Sequence, residues 1–436
     1  MYKAVGALAL LSLAVAAIAG FGSSDILSLD DDAIQYTSGS VDDPVNALQQ
    51  RIDKGEVKLA YDESMGYLRS VLEALKVSTT SQILVFSKTS FQAPRIGPRT
   101  PRALYFKDNV AVGFVRTGDV LEFAALDSKQ GVHFYTLDQE QAEHPKIERR
   151  DTCLQCHQSA ATLGIPGLMV RSVFPDRTGM PITSAGSGFI TDHRSPLKER
   201  WGGWYVTGTT GSQVHMGNSL MPGATGEAVP PPEGSQNVTD LTPFLDTGAY
   251  LTPHSDIVAL MTLEHQTQME NLIIRVGWEA RMAMVQNLAM NKAFHEPEDQ
   301  IRESTAHRLD AGVTELLSYM LFNGETALTS PIKGTSGFTD EFQNLGPKDS
   351  KGRSLRDFDL KTRMFRYPCS FLVYSKAFDA MPQVVKDRLY KRMWEVLTER
   401  DKSPQFAQLS AADRKAILEI LLDTKNDLPA YWRSSS

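Results

Sequence analysis

The chain has 436 residues, 42% hydrophobic and 22% charged, which is enough apolar material for a folded core of ordinary size. Its formal net charge is -7 and it contains no dense Lys/Arg block, which speaks against nucleic acid and anionic membrane surfaces as partners and favours a basic one. Three cysteines are too few for a disulfide framework.

The N-terminus reads as an export signal over residues 1–19. Lys3 supplies the positive start, an Ala/Leu-rich run follows from Ala4, and Ala17-Ile18-Ala19 fits a small-x-small cleavage site. The alternative is an uncleaved N-terminal anchor, because no charge interrupts the run before Phe21. No later stretch is long and apolar enough to span a bilayer, so no stable membrane span is expected after cleavage, and a periplasmic or secreted location follows. Residues 20–43, with Asp30, Asp31 and Asp32 in a row, read as a solvated linker.

A helix plus antiparallel β unit is expected over 44–150. Val45, Leu48 and Ile52 fall at helical spacing, as do Met65, Leu68, Val71, Leu72 and Leu75, with a break at Lys54-Gly55-Glu56. From Gln82 the period changes. Apolar runs at 83–86, 103–106, 110–115, 120–125 and 132–135 are separated by turn residues such as Thr117-Gly118-Asp119, which predicts a meander. Between the first two lies a proline-broken basic loop from Pro94 to Arg102. The segment 151–223 carries the Cys pair and short β-like pieces, the clearest at Gly203 to Gly208, and ends at a Pro/Gly-rich loop. Residues 224–436 read as mainly helical. Ser255 is the expected N-cap of a helix running to about Asn291, with Val258, Met261, His265, Leu272 and Val276 along one stripe. Further helices are expected at 299–322, 382–399 and 411–423. The fold class is α+β.

Cys153-Leu154-Gln155-Cys156-His157 is the motif that carries chemistry. Two thiols at this spacing can add to the two vinyl groups on one edge of a haem, and the adjacent imidazole can then face the iron. Random placement of the three Cys and nine His would give this run in roughly one such chain in a few thousand, so the signal is specific. Rival readings are a zinc site, which needs two further ligands, a thioredoxin-like pair, which needs a βαβ setting, and a plain disulfide.

The run resembles the haem-attachment signature of c-type cytochromes. The resemblance implies thioether links from Cys153 and Cys156 to one covalent haem c, with His157 as the proximal iron ligand. More loosely, with segments such as Arg200 to Gly208 and His215-Met216-Gly217-Asn218, the chain resembles large exported proteins that carry a cytochrome c domain. It departs from a small soluble cytochrome c in size and in the β-like segments that flank the motif.

Candidates for the far side of the iron are His215, His265, His193 and Met216. Arg171, Arg194 and Arg200 are candidates for pairing with haem carboxylates, and Trp201, Trp204 and Tyr205 for walls of the pocket. Cys369, flanked by apolar residues, reads as buried and inert. The expected function is electron transfer through one covalent haem outside the cytoplasm, with a basic redox partner. The alternatives are a peroxidase-like haem oxidoreductase with an open distal site, or a haem-bearing sensor or interaction protein.

Overall fold

The computed structural model describes residues 26–186, 188–221 and 233–433. The expected signal sequence at 1–19 and most of the Pro/Gly-rich loop after Met221 lie outside the described residues. Residues 26–43 form turns rather than a trailing linker. Ile34 and Tyr36 are buried, and the Tyr36 hydroxyl donates to the Val132 carbonyl at 2.9 Å, so from Asp30 onward this segment is part of the body.

Helix α1 (Pro44–Asp53) starts where Asp43 accepts the backbone N–H groups of Val45 and Asn46, with proline at the first turn. The same Asp43 carboxylate accepts the Tyr135 hydroxyl at 2.5 Å, which ties the cap to the sheet. Helix α2 (Leu68–Leu75) buries Leu68, Val71, Leu72 and Leu75, the periodic residues of the sequence. Strands β1 (Ile83–Val85), β2 (Arg102–Lys107), β3 (Val110–Val115), β4 (Val120–Asp127), β5 (Gly131–Asp138) and β6 (Ile147–Arg149) follow as an antiparallel meander. After the single helical turn α3 (Leu154–His157) come β7 (Val170–Ser172) and β8 (Phe189–Thr191), paired with each other. Strand β9 (Trp204–Tyr205) returns to add beside β1, giving the order β6-β5-β4-β3-β2-β1-β9.

Strand alternation divides the sheet into two faces. Leu84, Tyr105, Val112, Phe123 and Leu137 pack with α1 and α2 in one core. Val85, Phe106, Leu126, Val132 and Phe134 face the other way, into a larger core shared with the C-terminal helices.

That core is organised by α4 (Ile257–Phe294), 38 residues and about 57 Å long. It is buried on nearly every side from Ile257 to Trp278, not along a single stripe. Its N-cap is Asp256 rather than Ser255. The Asp256 carboxylate accepts Val258 and Ala259 N–H, whereas the Ser255 hydroxyl donates to the Tyr205 carbonyl and accepts Leu84 N–H, stitching β9 to β1. Helices α5 (Glu303–Met320), α6 (Phe338–Asn344), α7 (Lys376–Asp379), α8 (Gln383–Leu397) and α9 (Ala411–Thr424) complete the α+β architecture. Among the described residues no helix is long and apolar enough to cross a membrane.

Candidate functional site

The Cys153–His157 turn follows directly from the sheet edge. Arg150 closes β6 by donating its N–H to the Phe134 carbonyl and its Nε to Thr136 Oγ1, and Cys153 N–H returns to the Arg150 carbonyl at 3.3 Å. Residues three apart on a helical turn share one side, so Cys153 and Cys156 stand together there. Cys153 is half-buried against the large core, Cys156 is exposed, and the two thiols are not joined. Burial, with Glu122 adding to it, pushes the Cys153 thiol up.

His157 is clamped by one glycine. Gly167 donates its N–H to the His157 carbonyl at 2.9 Å, and its own carbonyl lies 3.0 Å from His157 Nδ1. A carbonyl can only accept, so Nδ1 carries the proton and Nε2 keeps its lone pair, with no hydrogen-bond partner among the described residues. Burial lowers the imidazole pKa, against the pull of the Gly167 carbonyl, and the ring is held neutral. Its centroid is 4.7 Å from that of Phe134 on β5.

The clamp depends on distant elements. A Cβ at Gly167 would lie 2.1 Å from Asn271 Oδ1, so any larger residue here must push the Asn271 side chain aside beneath α4. Asn271 Nδ2 donates to the Leu168 carbonyl at 2.7 Å, Val132 N–H bonds the Pro166 carbonyl, and Arg275 donates to the Leu163 carbonyl.

The sheet beside His157 is apolar and half-exposed. In one cross-strand row Phe106, Ala111, Ala124 and Phe134 face the same way, and in the next Leu104, Gly113, Glu122 and Thr136 do. Leu104, Ala111, Ala124, Leu163 and Leu168 are only partly buried. Between this face and α4 lies a cavity of about 10 Å³, room for about one water, lined among others by Ala111, Ala124, Leu168, Gln266 and Glu270. Burial holds the Glu270 carboxyl well above the usual range.

His193 and His265 are brought together, but inside the helical core. Their Nδ1 atoms are 2.9 Å apart, His265 Nε2 pairs with Ser370 Oγ at 2.8 Å, and His193 Nε2 is buried without a hydrogen-bond partner. Burial drives His265 down to about 3. His215 is buried edge-on to Trp201, and its Nδ1 accepts Gly217 N–H at 3.0 Å. Met216 sulfur lies 3.6 Å from Ser172 Oγ. The hydrogen bonds and ring contacts of these four residues run to other elements, not to the Cys153–His157 turn.

Of the arginines considered, Arg200 is buried against Glu264 at 3.0 Å, Arg194 pairs with Asp192 at 2.5 Å, and Arg171 is exposed. Trp201, Trp204 and Tyr205 are core residues, Trp204 donating to the Arg171 carbonyl and Tyr205 to the Pro98 carbonyl. Cys369 is fully buried, with its thiol pushed up to about 12.

Sequence reasoning missed Gly167, Asn271, Phe134, Arg102 and Glu122. For Glu122 a signal exists, a charge at an alternate position within Val120-Leu121-Glu122-Phe123-Ala124. Among the described residues no group of three or more His, Cys, Asp or Glu side chains could hold a metal ion, so the Cys pair lacks the convergent donors of a tetrahedral zinc site. The antiparallel sheet and the raised Cys153 thiol are equally unlike a thioredoxin-type pair, which needs a lowered one. The chain matches no known family model, no curated protein and no solved structure.

Proposed function

We propose that the protein is an exported electron carrier holding one covalent haem c at Cys153, Cys156 and His157. One observation carries this reading. On a single turn, two unjoined thiols stand beside an imidazole whose Nδ1 is fixed to a backbone carbonyl and whose Nε2 is free. That donor set and the apolar strip beside it suit such a group. Cys153 and Cys156 would make the thioether links and His157 would be the proximal ligand. Leu104, Ala111, Ala124 and Leu168 supply apolar surface against which a macrocycle can lie. The small cavity beneath it holds about one water, so the half-exposed side of the strip is the surface available to a macrocycle.

When bound, such a group supplies one-electron exchange between ferric and ferrous iron. The chain's part is to hold the imidazole neutral and correctly turned, through Gly167, and to keep water from one side of the site, through Phe134 and the large core. Export, through residues 1–19, and a basic redox partner, suited to the net charge of -7, belong to the same proposal.

The test is an absorption spectrum of the protein made in cells with haem-attachment machinery. It is taken oxidised, reduced, and reduced with carbon monoxide. A haem that stays attached after denaturation, with a low-spin spectrum unmoved by carbon monoxide, is the expected result. A haem whose spectrum moves with carbon monoxide would give the lead to the oxidoreductase alternative. No haem band would overturn the proposal.

A further inference from the structure

Glu122 interrupts the apolar face beside His157. It lies two residues along β4 from Ala124, whose cross-strand partner is Phe134, and the Phe134 ring contacts the His157 ring. Two residues of strand span about 6.6 Å, so the carboxylate lies on the same sheet face that the His157 ring contacts, a short way along it. The charges of Arg102 and, less strongly, of Glu122 reach His157, and that of Glu122 also reaches Cys153.

The carboxylate is built to stay. Ser90 Oγ and Gln92 Nε2 donate to Oε1 at 2.9 and 2.7 Å, and Arg102 Nη1 donates to Oε2 at 2.6 Å. Its side chain is only 16% exposed. Burial alone would push the carboxyl up, but Arg102, Gln92 and Ser90 together bring it below its ordinary value. Opposite it stands Gly113, where a Cβ would come within 3.3 Å of the Glu122 side chain. Arg102 is less well satisfied, because its Nε is buried without a partner. An ion pair largely withdrawn from water is often no more stable than apolar residues of the same volume, so this half-buried one on an apolar face calls for a use.

We propose that Glu122 and Arg102 are paired positioning residues of the Cys153–His157 site, the fixed negative charge of Glu122 favouring the oxidised state of the iron that His157 would hold and the guanidinium of Arg102 opposing it. This rests on the haem reading above. Reduction adds one electron, here from an electrode, and lowers the charge of the site by one. A nearby carboxylate therefore opposes reduction, and a nearby guanidinium assists it. By Coulomb's law, with an effective dielectric constant near 20, a unit charge at about 10 Å is worth roughly a tenfold change in the ratio of oxidised to reduced protein.

The experiment is a potentiometric titration of full-length protein carrying its haem, in mildly alkaline buffer so that Glu122 stays ionised. Four forms are compared: unmodified, E122Q, R102Q and the double variant E122Q/R102Q. E122Q should raise the midpoint and R102Q lower it. Each shift should be about tenfold in the oxidised-to-reduced ratio, or 59 mV for one electron, and the double variant should fall between them. A purely structural role would move both single variants the same way. Shifts in one direction, or none, overturn the inference while a normal haem band leaves the haem reading standing. If E122Q does not accumulate, R102Q decides alone: a lowered midpoint supports the inference, and an unchanged or raised one overturns it. An unmodified protein without a haem band would overturn the haem reading and this inference with it.

Discussion

His157 is oriented by groups that the sequence scatters widely. Its ring nitrogen bonds a carbonyl ten residues on, that glycine is covered by Asn271 of α4, and Phe134 of β5 contacts the ring. Gly167→Ala would force a methyl group to within 2.1 Å of Asn271 Oδ1. The variant should lose about 1–3 kcal/mol of stability, as overpacked sites do, and, on the haem proposal, the share of chains with covalent haem should fall. Urea unfolding and a haem stain of denatured protein read the two effects. His215 gives a second test at this scale. Burial depresses it to about 4, so the folded protein holds it neutral while the unfolded chain takes a proton near pH 6.5. The unfolded state then binds more protons between those values, and stability is lost as pH falls from about 6.5 towards 4. His215→Gln should remove that part of the loss. Between about pH 6.5 and 5 the unmodified protein should lose about 1.5 kcal/mol more than the variant, measured by urea midpoints. Equal losses would show that His215 does not carry this part of the acid response. The motif itself was legible in sequence because the proposed attachment chemistry needs residues close in sequence. The residues that aim it were not, because a hydrogen bond across a fold leaves no spacing to read.

The elements were legible where a single period governed them. The strands expected at 103–106, 110–115 and 120–125 lie within β2, β3 and β4, and α1, α8 and α9 fall close to their expected bounds. Where two periods or two partners competed, the sequence misled. Helix α4 is enclosed by the sheet and by its neighbouring helices, so the apolar stripe was only part of its buried surface. At its start, Ser255 and Asp256 are both good caps by residue type, and tertiary contacts decide between them. Asp256 also accepts Thr335 N–H at 2.7 Å and Ser336 N–H at 2.8 Å, anchoring the segment after Ile332 to the helix. Asp256→Ala should therefore cost more than an ordinary lost cap, about 3 kcal/mol, because four backbone donors lose their acceptor together. Asp256→Asn, which keeps one carbonyl acceptor, should cost less. Urea denaturation of the two variants measures the difference, and equal costs would mean that the charge, rather than the shared acceptor, matters.

At the scale of the whole molecule, the helix-plus-β unit, the haem-binding segment and the helical region expected from sequence are held by shared strands. Strands β1 to β5 and β9 contribute alternate residues to two cores, one with α1 and α2 and one with α4 and the helices beyond it. Strand β9, from the middle segment, completes the sheet beside β1, and α4 clamps the Gly167 segment below His157. Neither core can open without baring one face of the sheet to water, at about 25 cal/mol for each Å² of apolar surface. Chains of this length often unfold in steps, so the expectation is a demanding one. Far-UV circular dichroism, the fluorescence of buried Trp201, Trp278 and Trp432, and absorption of the proposed haem should follow one urea transition with the same midpoint. A fluorescence or dichroism change completed before the haem signal moves would mean that the helical region separates from the sheet. His157 would then owe its orientation to β5 and Gly167 alone, without the support of α4.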